Sequence, residues 1–224
     1  MSLPDISNRF RLRQQIFDYL YNQIEKGNLA PGATINVKQL TQELNVSRTP
    51  LREALAQLEI QGLVTIRPQR GVIINALTYE ELIDIFEILG ALESRALDSV
   101  FDQIGPDIIK EMENCNRIMS QAVTHGHNKL YHEKNIQLHN LFLDISTNTV
   151  LKTTISNLKL RLFGFAVKRY RKRFKQAIIL EHDMFIDMLR SGQKIRAVDF
   201  LKEVHWKFNY PENFIQGSSD ASSD

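Results

Sequence analysis

Two arginines one helical turn apart, Arg48 and Arg52, form with Ser47 and Thr49 the group best equipped for chemistry at a nucleic acid. A guanidinium can make two parallel hydrogen bonds to a guanine edge, and serine or threonine hydroxyls bond phosphate oxygens. Lys38 upstream and Arg67 and Arg70 downstream would extend that surface if the fold brought them together. Gly71 would let the backbone approach a duplex closely. The charge is distributed to match. Residues 1–76 hold nine Lys/Arg against six Asp/Glu, while the whole chain has a formal net charge of only +2. Such an excess suits a polyanionic partner, because phosphate neutralisation is the sequence-independent part of DNA affinity.

The elements that must position these residues follow from periodicity. Phe10, Leu12, Ile16, Phe17, Leu20, Tyr21 and Ile24 recur at helical spacing and predict a helix over residues 9–25. Ala30-Pro31-Gly32 turns the chain, and Asn36 is placed to cap a short helix from Val37 to Leu44, with Gln39 at the capping-box position. Ser47 caps a third helix whose Pro50 falls in the first turn and whose inward stripe is Leu51, Ala54, Leu55 and Leu58, ending at Gly62. Beyond it, Leu63 to Ile66, a polar turn Arg67 to Gly71, and Val72 to Ile74 read as a two-stranded hairpin. Helix, turn, helix and hairpin make a winged helix-turn-helix, with the arginines at the start of the helix that enters the groove.

After Thr78 no strand is expected. Thr78 caps a long helix bearing Leu82, Ile85, Phe86, Leu89, Leu92 and Leu97, and further helices are predicted near 107–124, 128–146, 148–170, 174–191 and 193–208. The expected fold class is therefore mainly α: a winged helix-turn-helix over 1–76, an all-α helical bundle over 77–212 and a flexible tail over 213–224. The basic run Lys168 to Lys175 reads as a solvated helix end, with an additional DNA or anion contact as the alternative.

Composition narrows the function classes. With 224 residues, 43% hydrophobic and 24% charged, the chain has the balance of a soluble globular protein and length for two domains. No apolar run approaches the roughly 20 residues that span a bilayer, and the first 20 residues lack a signal-like stretch, so a cytoplasmic protein without a membrane partner is expected. Cys115 stands alone, which excludes an intrachain disulfide and any Cys-rich zinc module. There is no glycine-rich phosphate loop and no nucleophile motif, so the chain is not expected to be an enzyme.

The run from Leu40 to Leu55, LTQELNVSRTPLREAL, followed by Leu58 to Val64, LEIQGLV, resembles the signature of the GntR family of bacterial regulators. The resemblance implies that Lys38, Ser47, Arg48, Thr49, Arg52, Arg67, Arg70 and Gly71 contact double-stranded operator DNA. Lys38 stands where many members carry arginine, which replaces a bidentate donor by a point charge. A homodimer is implied too, since operators read by such helices are commonly two-fold.

The remainder resembles the FCD effector domain of the FadR branch. Many such domains hold a divalent metal with one Asp and three His, beginning with Asp and His four residues apart. Asn135 and His139 occupy that place here, and His182 and His205 match the second and third histidines. Imidazole nitrogens suit a divalent transition metal, Zn or Ni first. Asn135 replaces the carboxylate with an amide oxygen, removing a negative charge. His132 could face the same pocket, whereas His125 and His127 flank a glycine in an expected loop. Leu89 stands where many FCD sequences place an arginine that holds a carboxylate effector, and Arg95 is not equivalent. The implied effector is a small organic or sugar acid, with a larger or more apolar molecule as the alternative. Two further readings stay open: a metal-dependent enzyme built on His139, His182 and His205, and a DNA-binding protein whose sensor pocket has degenerated.

Overall fold

A computed structural model describes residues 3–25, 28–166 and 172–208. The chain divides into two compact units, Met1–Leu77 with Leu160–Phe165, and Thr78–Lys159 with Ala166–Asp224.

In the first unit α1 (Leu3–Glu25) is followed by β1 (Thr34–Ile35), α2 (Val37–Glu43), α3 (Arg48–Ile60), β2 (Val64–Arg67) and β3 (Gly71–Ile74). The helical stripes meet the sheet in one apolar core of Ile16, Phe17, Leu20 and Ile24 from α1, Leu51, Ala54, Leu55 and Leu58 from α3, and Val64, Val72 and Ile74 from the wing. Asn36 caps α2 as expected, its Oδ1 accepting from the backbone N–H of Lys38 (3.0 Å) and Gln39 (3.2 Å). Gln39 does not complete a capping box. Its amide donates forward to Glu43 Oε1 (2.8 Å) instead. Ser47 has the extended backbone of an N-cap, but its side chain makes no capping bond.

The wing has three strands, where the sequence indicated two. β1 pairs antiparallel with β3, and β3 with β2, giving the order β1-β3-β2. Two residues cannot display an alternation, so β1 carries no sequence signature. Glu59 ties the end of α3 to this sheet, accepting from the Ile66 N–H at 2.6 Å. Gly71 has φ +90°, and a Cβ there would lie 3.1 Å from the Ile35 carbonyl oxygen. Glycine is thus demanded by the chain's own sheet, which is a stronger reason than access to a duplex.

The second unit is helical among the described residues: α4 (Tyr79–Val100), a 3₁₀ turn (Phe101–Gln103), α5 (Pro106–Thr124), α6 (Asn128–Leu143), α7 (Thr149–Ala166, of which Leu160–Phe165 group with the first unit), α8 (Lys172–Arg190), α9 (Lys194–Phe200) and a π-helical turn (Leu201–His205). Thr78 starts α4 with a full capping box, its Oγ accepting from the Glu81 N–H and the Glu81 carboxylate accepting from its own N–H. The buried stripe of α4 includes Leu82, Ile85, Phe86, Leu89, Glu93, Leu97 and Val100. The single helix predicted for 193–208 is broken, since α9 widens into the π-helical turn that carries His205. Such turns insert one extra residue and redirect the side chains beyond it.

The basic run is not uniformly solvated. Lys172 and Arg173 are exposed, but Lys175 is buried, donating to Asn128 Oδ1 at 2.6 Å and lying over the Tyr131 ring. Residues 168–171 of that run, and the tail expected over 213–224, lie outside the described residues. Among those described, no helix is long and apolar enough to cross a membrane. Cys115 is a free, buried thiol.

Candidate metal centre and nucleic-acid interface

Three helical segments converge on one buried point. His139 comes from α6, His182 from α8 and His205 from the π-helical turn, and one ligand atom from each lies within 4.8 Å of the others. His139 Nε2 is 3.3 Å from His182 Nε2 and 3.2 Å from His205 Nε2. All three residues are at most 5% exposed.

The outer nitrogens settle the tautomers. His139 Nδ1 faces the Glu93 carboxylate (2.7 Å) and His205 Nδ1 faces that of Glu181 (3.0 Å), so each Nδ1–H donates. His182 Nδ1 faces Asn116 Oδ1 at 3.2 Å. The Asn116 amide is oriented by donating its own N–H groups to the Ile179 carbonyl (2.9 Å) and Asp183 (2.7 Å), so its oxygen must accept from His182. The Nε2 atoms of His139 and His182 therefore present lone pairs toward each other, with His205 Nε2 3.2 Å from that of His139. Neutral imidazoles in this state repel one another, and a shared cation relieves the repulsion.

The protonation states agree with this geometry. Burial pushes the His139 pKa down to about 4, against the opposing pull of Glu93. Burial, and then the neighbouring His205 and His139, hold His182 well below the usual imidazole range. Both rings are neutral near pH 7, as metal ligation requires.

Asn135 lies one turn before His139 on α6 and is 8% exposed. Its Oδ1 is buried without a hydrogen-bond partner among the described residues. An orphaned carbonyl oxygen one turn from His139 on the same helix fits a divalent ion, and it fits the substitution of amide for carboxylate. His132 is also buried, packed edge-on against the Tyr131 ring, and does not belong to the converging trio. His125 and His127 are exposed, as anticipated. Leu89 is fully buried, and Arg95 is exposed and paired with Asp98 at 2.8 Å, so neither α4 position supplies a cation to the interior.

Sequence reasoning missed Glu93, Asn116 and Lys159. Glu93 is fully buried, with Lys159 Nζ at 2.5 Å from its Oε1 and Trp206 Nε1 donating to its Oε2 at 2.9 Å. Burial alone would raise its pKa, but His139 and Lys159 hold the carboxyl well below its usual range. Burial in turn lowers the Lys159 pKa, opposed by Glu93. A signal was present in both cases: Glu93 sits between Leu89 and Leu97, and Lys159 between Ile155 and Leu162, on stripes that are otherwise apolar.

In the first unit a cleft of about 830 Å³ opens between α3 and the wing. Lys38, Arg48, Arg52, Arg67, Arg70 and Gly71 line it, over a floor that includes Leu55, Ile66 and Val72. Five cationic side chains from three elements thus share one concave surface, and all five are exposed. Ser47 and Thr49 are exposed at the start of α3 but do not line the cleft. A duplex backbone seated there would meet the N-terminal end of α3 and the wing together.

The comparisons with known proteins agree with this division. Residues 12–74 match the family described as bacterial regulatory proteins, gntR family, and residues 84–205 match the FCD domain. An uncharacterized HTH-type transcriptional regulator, YdhC of Bacillus subtilis, is 27% identical over 79% of this chain and 82% of its own length. The HTH-type transcriptional repressor RspR of Escherichia coli is 28% identical over 66% of this chain and 65% of its own length. Among solved structures, E. coli McbR/YncC superposes with a TM-score of 0.72 at 22% identity, covering 87% of this chain and 93% of that one. A GntR regulator from Rhodococcus gives the same TM-score at 18% identity, covering 85% and 92%; at these identities both structures speak to the fold alone. A winged helix-turn-helix that matches one family profile, ahead of a helical unit that matches the other, places this chain in the GntR family of bacterial transcription regulators, with an FCD domain.

Proposed function

We propose that this chain is a metal-dependent, effector-responsive regulator in which Asn135, His139, His182 and His205 hold a divalent transition metal, Zn or Ni. The convergence of three imidazole Nε2 atoms, each ring oriented by a bond at Nδ1, carries this reading. When bound, the ion supplies an electrophilic position for an oxygen ligand such as the carboxylate of a small organic or sugar acid. The four protein ligands are formally neutral, so the loaded site favours an anionic effector. We assign binding and no turnover to this cluster.

The N-terminal residues 1–76 act as the DNA-reading head, and residues 77–212 as the effector-binding and dimerisation domain. Arg48 and Arg52 read base edges in the major groove; Lys38, Ser47, Thr49, Arg67, Arg70 and the Gly71 backbone hold phosphates. Two copies bind a two-fold operator in the cytoplasm, and loading of the helical domain changes how the two heads fit the half-sites. Metal and effector act on DNA only in so far as they bind the two dimer arrangements with unequal affinity.

Metal analysis of the purified full chain, followed by a thermal-shift screen of organic and sugar acids with and without Zn(II), tests this reading. The expected result is about one metal per chain and acid-dependent stabilisation only in the metal-loaded protein. A chain that takes up no metal, or acids that stabilise the metal-free protein equally, would overturn it.

A further inference from the structure

We infer that Glu93 is the positioning residue of the metal centre, through which α4, itself supplying no ligand, fixes two of the three ligand-bearing segments, with Lys159 as its counter-charge. This rests on the metal reading above.

The three outer bonds of the histidines are not equivalent. His182 leans on the neutral amide of Asn116, and His205 on Glu181, which is 16% exposed. His139 leans on Glu93, whose side chain is fully buried and whose other oxygen is ion-paired with Lys159. One oxygen of Glu93, Oε2, accepts both from His139 Nδ1 on α6 and from Trp206 Nε1. Trp206 directly follows His205, and its backbone N–H closes the π-helical turn on Leu201 O at 3.0 Å. A single carboxylate oxygen therefore bridges the α6 ligand to the turn that carries a second ligand.

Backbone packing supports the same link. Gly90 lies one turn before Glu93, and a Cβ there would stand 3.0 Å from Trp206 Cβ and 3.4 Å from the Lys202 carbonyl oxygen. α4 thus approaches the π-helical turn as closely as a glycine allows. Lys159, reaching Glu93 Oε1 from α7, removes the need for an unpaired buried charge. What a carboxylate adds is a fixed Nδ1–H tautomer, a ring orientation and a more basic Nε2 at His139, which is how outer partners of metal-bound imidazoles act.

The test uses Co(II) binding to the full-length chain, read as affinity in a chelator competition and as the ligand-field absorption of the bound ion. The variants are Glu93→Gln with Lys159→Met, which removes both charges together, and Trp206→Phe, which cuts only the arm to the turn. Expected is a 10- to 100-fold loss of Co(II) affinity and an altered spectrum in the double variant, with a smaller loss in W206F. A folded double variant, judged by far-UV circular dichroism, that keeps native affinity and spectrum overturns the inference. Should the double variant fail to fold, unchanged affinity and spectrum in W206F overturn it equally. Failure of the unsubstituted chain to bind Co(II) removes the metal reading and this inference together, whereas intact binding in the variants removes this inference alone.

Discussion

Replacing His182 with alanine removes one of three converging nitrogens and should abolish a metal-induced rise in melting temperature. His182 is the best ligand to delete, because the partner it leaves behind, Asn116, is uncharged and keeps its bonds to Ile179 and Asp183. In the metal-free protein the truncation leaves a cavity and an unpaired Asn116 Oδ1, which lowers the starting melting temperature, so the rise on adding metal is compared within each protein. Zinc at a hundredfold excess over its dissociation constant stabilises the parent by about 2.7 kcal/mol. For a protein of this size 1 kcal/mol shifts the midpoint by roughly 2–4 °C, so the expected rise is about 5–11 °C, and near zero for H182A. Circular dichroism melts of chelator-treated protein, with and without zinc, give the answer. An equal rise in both proteins, or none in the parent, would show that the three imidazoles converge for packing reasons only.

Arg48→Ala and Arg52→Ala should each cost about 1–3 kcal/mol of operator affinity and relax base preference in a binding-site selection. Lys38→Ala should instead weaken binding to all sequences alike and reduce the salt slope by about one, which fluorescence anisotropy at several salt concentrations resolves. Gly71→Ala imposes a side chain at φ +90° against the Ile35 carbonyl, so the first unit should lose about 1–2 kcal/mol in urea unfolding; an unchanged midpoint would contradict the packing described for the wing. Burial, and then Glu111, push the Cys115 thiol up to about 11, so its thiolate is scarce at pH 8 and the folded chain should resist alkylation until denatured. Rapid labelling of the native protein by a thiol reagent at pH 8 would refute this.

What could be read in the sequence depended on whether a residue announces its role within one element. Asn36 and Thr78 mark helix starts by local hydrogen-bonding chemistry, and α2 and α4 begin there. The arginines at the head of α3 and in the wing turn were visible for the same reason. β1 was not, because its two residues owe their conformation to pairing with β3. The π-helical turn was equally hidden, since one extra residue in a helix leaves no periodic trace over so short a segment. At the candidate metal site, the four-residue spacing of Asn135 and His139 shows a shared helix face. The arrival of His182 and His205 is a tertiary fact that only family resemblance anticipated. Glu93 and Lys159 were legible in principle as charges on apolar stripes, and the need to pair them could have been inferred from the cost of burying either alone.

We propose that metal in the helical domain governs the DNA-binding head. The most direct test is the affinity of the full-length chain for a selected operator, measured by fluorescence anisotropy for metal-free and zinc-loaded protein at one salt concentration, with H182A alongside. Coupling of about 1–3 kcal/mol predicts a difference of about 5- to 150-fold for the parent and none for H182A. Identical operator affinity of the metal-free and loaded parent would show that the metal does not act on the DNA-binding head.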